Sequence, residues 1–331
     1  LSMSWEYDSV GNLIAKTNYQ GEPRKFTYDS SNRLVAMSAG DPAYIHTSYH
    51  YDPAGRLLSR ILSNGAATLH NYNTDGFLTS IKQLGADGYS VDLREYEHDQ
   101  VGNIKKLTLN ANEIVNYGYD PAYRLLSADS SNDTNDFGYS YDAVGNRLSK
   151  TANGSTQHYI YNNAGNRLGQ LRQGSTSGSL LKSFTYDNNG SMTGKFDGNG
   201  QPLLAIDYDQ RRLATVIGVD NQPGSMAFQY DANAYRIEKQ TASQTKKYYL
   251  EAEHLESVYD AQDEIQATYL RGVIVDEIIN GFEKNSVSGA MENRTFHHDQ
   301  VNSIVALTDH NGGVAQTNSY GPFGEHLGGT G

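Results

Sequence analysis

The residues of this chain best suited to chemistry crowd near one end: His297, His298 and Asp299 in the run TFHHDQ, then Asp309 and His310 ten positions on. Imidazole nitrogens with a carboxylate make a common zinc donor set, and the same groups serve general acid–base catalysis. Adjacent side chains on a strand project to opposite faces, however, so His297 and His298 would not converge on one ion. A structural or turn role is therefore expected, with a metal-dependent enzyme using the His297–His310 region ranked behind two readings developed below. His50 and Asp52 share a parity, but the His50 position holds Thr or Ser in kindred stretches, which suits a solvent-facing site. No G-x-S-x-G, H-E-x-x-H, C-x-x-C or P-loop pattern occurs. No catalytic, cofactor-binding or metal-ligating residue is assigned, no cofactor is implied, and the chain is not expected to be an enzyme.

The elements that would hold such residues are set by composition. The chain has 331 residues, 37% of them apolar, with 25 Tyr, 33 Gly and no Cys. Disulfides and thiolate metal sites are thereby excluded. A formal net charge of −12 without a dense Lys/Arg run disfavours a nucleic-acid groove. No stretch approaches the roughly 20 apolar residues of a membrane span. The many tyrosines suggest a half-wet interior, because each ring brings a hydroxyl that needs a partner.

Those tyrosines recur in register. WEYDSVGNL (5–13), FTYDSSNRL (26–34), YHYDPAGRL (49–57), YGYDPAYRL (117–125), YSYDAVGNRL (139–148) and YIYNNAGNRL (159–168) are copies of one unit, their tyrosines mostly 20 to 25 positions apart. Such a period signals stacked supersecondary units. Aromatic and polar residues alternate before the Asp, as in a strand. Asp29, Asp52 or Asp142 then folds its carboxylate onto backbone N–H groups to start a turn, and Gly55, Gly145 or Gly165 supplies positive φ. A loop over 53–55 places Tyr51 opposite Leu57, and Tyr28 and Leu34 share that spacing. A loop over 143–146 would place Tyr141 opposite Leu148, with Tyr161 and Leu168 alike. Each aromatic–aliphatic pair is worth about 0.2–1 kcal/mol. A single hairpin is marginal, but many side by side share one apolar face. Residues 250–266 are rich enough in Glu, Ala and Leu to suggest a helix, yet the Tyr-Asp pattern inside them favours strands.

These units resemble the YD-repeat, or RHS-repeat, family, which includes bacterial Rhs proteins, the C components of insecticidal toxin complexes and the teneurins. The resemblance covers nearly all the chain, as a repeat array over 1–245 and a region over 246–331 that resembles the RHS-associated core and continues the same sheet. In the latter, His298, Asp299, Asp309, Pro322, Phe323 and Gly324 match the family pattern, while Asn302 replaces its usual Gly, which implies a looser turn. The resemblance implies an all-β fold of consecutive antiparallel hairpins in an extended, curved or spiralling sheet, part of a hollow β-shell. It implies a non-catalytic shell fragment that encloses or displays a C-terminal toxin or effector, secreted or at a bacterial cell surface. The partners implied are the remainder of its own polypeptide or a shell subunit, and an effector cargo. The chain has no DPxGL motif, so no self-cleaving residues carry over. The alternative is an extracellular adhesion or carbohydrate-binding module, whose tyrosine ladder would offer a platform to glycans.

Overall fold

The computed structural model describes residues 4–17, 21–40, 43–132, 135–162, 166–220, 222–251, 254–273 and 277–330, with only the backbone at 43–45 and 222–223. Gly165 lies outside the described residues. Among them are thirty strands, numbered β1 to β30 in chain order, and no helix. Consecutive strands pair antiparallel in one sheet that does not close on itself: among the described residues β1 (Ser4–Tyr7) pairs only with β2 (Leu13–Thr17), and β30 (His326–Thr330) only with β29 (Val314–Tyr320). Residues 254–259 and 265–271 are strands, as the Tyr-Asp pattern requires.

The hairpin tips follow one design. Asp52 N–H donates to the Arg56 carbonyl at 3.0 Å, and Gly55 N–H returns to the Asp52 carbonyl at 2.9 Å. Asp29 Oδ1 accepts the N–H groups of Ser31 and Arg33 at 2.9 and 3.0 Å, while its Oδ2 accepts Arg33 Nε at 2.7 Å. Asp142 repeats this geometry with Val144, Asn146 and the Asn146 amide. These donors, led by the Arg33 N–H at Asp29 and the Asn146 amide at Asp142, hold both carboxyls below the usual carboxylate range. The third loop residue takes positive φ, +85° at Gly55 and +95° at Gly145, and the loop closes as three residues.

Tyr51 is opposite Leu57 and Tyr28 opposite Leu34, as the spacing predicts. Tyr141 is not opposite Leu148. Its partner is Arg147, because Asn146 takes the position that Arg56 holds elsewhere and the loop keeps three residues. Leu148 is consequently 40% exposed. In the kindred hairpin, where Asn162 replaces the Asp, the longer spacing does occur and Tyr161 faces Leu168. Asn302 does not loosen its turn: at φ +66° it donates to the Asp299 carbonyl at 3.1 Å, like the glycines in that position.

Neighbouring hairpins are joined by a second recurring device. The Tyr28 hydroxyl donates to the Leu13 carbonyl, Tyr51 to Leu34, Tyr72 to Leu57 and Tyr141 to Leu125, at 2.8–3.0 Å. Each bond runs from one hairpin to the residue just past the loop of the hairpin before it. Arginine works in the other direction. Arg33 and Arg124 donate to the carbonyls of Asp52 and Asp142 at 3.2 and 2.7 Å and lie 5.0 Å from the ring centroids of Tyr51 and Tyr141. The register is constant: at ten junctions the residue three before the Tyr position, or before His98 in its place, opposes the residue two past the loop-exit position.

By compactness the chain divides into residues 1–114 with 268–331, and residues 115–267. The sequence boundary at 245/246 falls inside the second unit. The first unit has a core of Met37, Ala39, Tyr49, Leu270 and Ile279, against which Phe26, Leu34, Tyr51 and Leu57 pack. The second has a core of Ala128, Phe137 and Tyr139, flanked by Tyr117, Leu125 and Tyr141. In both, the aromatic two residues before the Tyr position is buried: Tyr49 is 2% exposed and Tyr139 6%.

Removing one linking hydroxyl isolates its worth. Tyr51→Phe is expected to lower unfolding free energy by roughly 0.5–1.5 kcal/mol, whereas Tyr7→Phe, with no preceding hairpin among the described residues, changes it little. Urea denaturation of the two variants measures the contrast, and equal effects would show that the bond to Leu34 is not the cause.

Candidate functional site

Within the first unit, the C-terminal strands meet the N-terminal hairpins through the apolar core of Leu270 and Ile279 with Met37, Ala39 and Tyr49, and beside it through a polar seam. Arg60, on β6 (Leu57–Leu62), forms a buried ion pair with Glu277, just before β26 (Ile278–Lys284). The same guanidinium donates to Thr68 Oγ1 at 3.0 Å, and Thr68 donates to Gln83 Oε1 at 2.7 Å. Gln83 Nε2 then donates to the His298 carbonyl at 2.7 Å. His297 lies 3.3 Å from Gln83 Oε1 through Nδ1 and 3.0 Å from Thr308 Oγ1 through Nε2. Alongside, Arg94 bridges Asp92 at 2.9 Å and Asp299 at 3.7 Å, and Tyr96 donates to Gln300 at 2.6 Å.

The sequence positions these groups by the same strand logic as elsewhere. His298 ends β27 (Met291–His298) in the Tyr position, opposite Ile304, and Asp299 is the turn Asp, its Oδ1 accepting the N–H groups of Val301 and Ser303. Thr295 to His298 are all buried, so both faces of this strand end are covered. Asp309 and His310 lie in the next turn. Asp309 Oδ1 accepts from Asn311 and Gly313, and His310 is exposed, its carbonyl 3.5 Å from the Asn64 amide. The five residues that looked suited to chemistry are thus divided between a buried network and a turn. Among the described residues no group of three or more His, Asp or Glu could hold a metal ion. Pro322, Phe323 and Gly324 form an ordinary tip, with Gly324 at φ +79° and Phe323 52% exposed. His50 is on the solvent side, 3.1 Å from Ser59 Oγ.

A cavity of about 280 Å³ opens beside the seam, lined by Arg60, His70, Gln83, Glu277, His298 and Asp299 among others. Arg60 Nε, His70 Nδ1 and His298 Nδ1 are buried there without a hydrogen-bond partner among the described residues. Burial pushes His297 and His298 down to about 3 and His70 to about 4, and the Arg60 cation adds to each shift. All three are neutral near pH 7. Sequence reasoning found His297, His298 and Asp299 but not Arg60, Thr68, Gln83 or Glu277. Their one signal was misplaced polarity, a Thr and a Gln at strand positions that face inward.

Two consequences are measurable. Unfolded imidazoles take up a proton below about pH 6.5, while these three stay neutral in the fold until about 4 or 3, so the unfolded state binds more protons in that window. Stability is therefore full above about pH 6.5 and falls as pH drops toward 4, by up to ~1.4 kcal/mol per pH unit for each histidine. Urea titrations at several pH values should give a slope that His297→Gln flattens; an unchanged slope would remove this histidine from the account. Glu277→Gln, which strands a buried guanidinium, should cost about 3–5 kcal/mol in the same assay.

Comparison with known proteins places this geometry. The sequence profile described as Teneurin YD-shell matches residues 1–168. The tRNA3(Ser)-specific nuclease WapA of Bacillus spizizenii is 22% identical over 336 aligned positions, covering 97% of this chain and 13% of that protein. The double-stranded DNA deaminase toxin A of Burkholderia cenocepacia is 34% identical over 59 residues, 18% of this chain and 4% of that one. A chain of the Photorhabdus luminescens Tc holotoxin pore has the same fold over 98% of this chain and 18% of its own length, with a TM-score of 0.66 at 17% identity. The chain thus spans about an eighth of the WapA relative.

Proposed function

We propose that this chain, which belongs to the Teneurin YD-shell family, is a length of non-catalytic wall in a hollow shell that encloses or displays an effector carried on the same polypeptide. The observation that carries the reading is one link, Tyr hydroxyl to preceding carbonyl, made at hairpin after hairpin. A catalyst needs one unrepeated constellation, whereas a wall needs a joint that can be laid down many times. In this reading residues 1–245 are the repeat array and 246–331 the core-like region that continues it. Tyr28, Tyr51, Tyr141 and Tyr161 are its joints, and Asp29, Asp52 and Asp142 its turn formers.

The named relatives add weight. A tRNA nuclease and a DNA deaminase perform different chemistries, yet each resembles this chain over a small share of its length. A segment shared by proteins of unlike activity suits a housing better than a reactive centre. The tyrosine rings, moreover, carry their hydroxyls into inter-hairpin bonds and their faces under arginine, which leaves little of the ladder for a sugar platform. The partners of this wall are the rest of its polypeptide or a shell subunit, together with the effector, in a protein secreted from a bacterium or held at its surface.

Limited proteolysis of the intact gene product tests the reading. A downstream effector domain should resist protease while the repeat sheet is folded and be cut rapidly once denaturant or Glu277→Gln opens the wall. Rapid digestion of that domain beside an intact, folded sheet would refute enclosure.

A further inference from the structure

Two departures from the repeat converge on the cavity beside the seam. The place two residues before the Tyr position holds Phe26, Tyr49 and Tyr139 in their hairpins, but in the hairpin after Tyr49 it holds His70, set opposite Ile81 in the same register. The Tyr position at the end of β27 holds His298. A Phe at the first place has no polar atom to satisfy, and a Tyr at the second elsewhere finds a carbonyl of the preceding hairpin. The imidazoles do neither. Their Nδ1 atoms are buried without a hydrogen-bond partner among the described residues, as is Arg60 Nε, and all three residues line the one cavity. His98, in the Tyr position of another hairpin, stacks on Phe77 with ring centroids 5.1 Å apart and does not line it. Unmet buried polar atoms lower stability, and a sequence that departs from its own rule at such a cost does so where a site is held.

The lining selects the chemistry of a ligand. Its charges are balanced: Arg60 is paired with Glu277, Asp299 lies 3.7 Å from Arg94, and both imidazoles are neutral near pH 7. A charged guest would enter among paired ions with no counter-ion of its own, so a neutral one is favoured. Arg60 Nε can only donate, whereas Nδ1 of a neutral imidazole donates in one tautomer and accepts in the other. A hydroxyl answers either need. Leu57 and Val301 add an apolar wall to receive the C–H face of such a molecule. The cavity, about 280 Å³, is near the lower end of small-molecule sites, roughly 300 Å³. Filled by water it would take about nine molecules at ~30 Å³ each, far more than the three unmet atoms could order.

We infer that this cavity binds a small neutral molecule rich in hydroxyl groups, a monosaccharide or the terminal sugar of a glycan, held by Arg60 Nε and the Nδ1 atoms of His70 and His298. The site is separate from the tyrosine ladder, whose hydroxyls are engaged by neighbouring hairpins. It lies wholly within the first unit and does not depend on what the wall encloses.

The ring-nitrogen NMR signals of His70 and His298 report on the site directly. Titration of the isotope-labelled 331-residue chain with free glucose, galactose, mannose and N-acetylglucosamine should move both signals with at least one sugar and leave that of solvent-facing His50 in place. His70→Phe and His298→Phe should each weaken binding about fivefold to tenfold, the worth of one hydrogen bond. Both should unfold at the same or a higher urea concentration than the parent, because each removes a buried unmet nitrogen; a purely structural role would instead lower that concentration and leave any sugar affinity unchanged. Oligosaccharides ending in the bound sugar separate the two sources: equal affinity identifies a glycan end, rejection a free monosaccharide. Signals that no sugar moves at millimolar concentration, binding that survives both substitutions, or a response to acetate or phosphate in place of sugar would overturn the inference.

Discussion

A tyrosine hydroxyl donating to the carbonyl of the hairpin before it is the interaction on which this architecture depends. A two-stranded hairpin in water is marginal, and the Tyr–Leu contact within each one adds only a fraction of a kilocalorie to about one. What makes the array a body is the step between hairpins. There the hydroxyl, the returning arginine and the strand ladder all demand the same offset, so a slip by one residue would lose all three together and turn every side chain to the wrong face. The half-wet interior foreseen from the tyrosine content has this cause: each ring packs on the apolar face while its oxygen reaches the neighbouring backbone.

The seam of the first unit follows a different physics. The hairpins are held by many weak, similar contacts, whereas the C-terminal strands add to their apolar core a few strong and particular ones, Arg60 with Glu277 and the chain from Thr68 through Gln83 to His297 and Thr308. Burying an ion pair gains little over apolar packing, yet breaking it on one side is severe. Such a network specifies one seating of the strands and penalises near misses. The neutral histidines add to that selectivity, since a proton on any of them would be placed close to the Arg60 cation.

Much of the wall was legible from its letters. The turn Asp, the positive-φ residue and the Tyr51–Leu57 pairing follow from spacing and from the hydrogen-bonding capacity of each side chain. The prediction failed at Tyr141 because it let Leu148 set the loop length, when the loop is set by Asp142 and the residue that binds back to it. Asn146 satisfies Asp142 as well as an arginine does, so Arg147 moves into the apolar position. The links between hairpins were missed in part: the tyrosine's need for a partner was visible, the identity of that partner was not. Beyond its histidines and Asp299 the seam was marked only by a Thr and a Gln at inward-facing strand positions, because Arg60 meets Glu277 across 217 positions and neither repeats in a way that marks it.

The constant offset between neighbours also governs how such a gene can change length. Deleting or duplicating one whole hairpin leaves the flanking strands facing partners of the same kind at the same spacing, so the edit heals without disturbing the remainder. An insertion of any other size inside a strand would force a misfit that travels along the sheet. Walls of this construction are thus free to vary in steps of one module, and the size of the chamber they could bound is set by counting modules rather than by redesigning them.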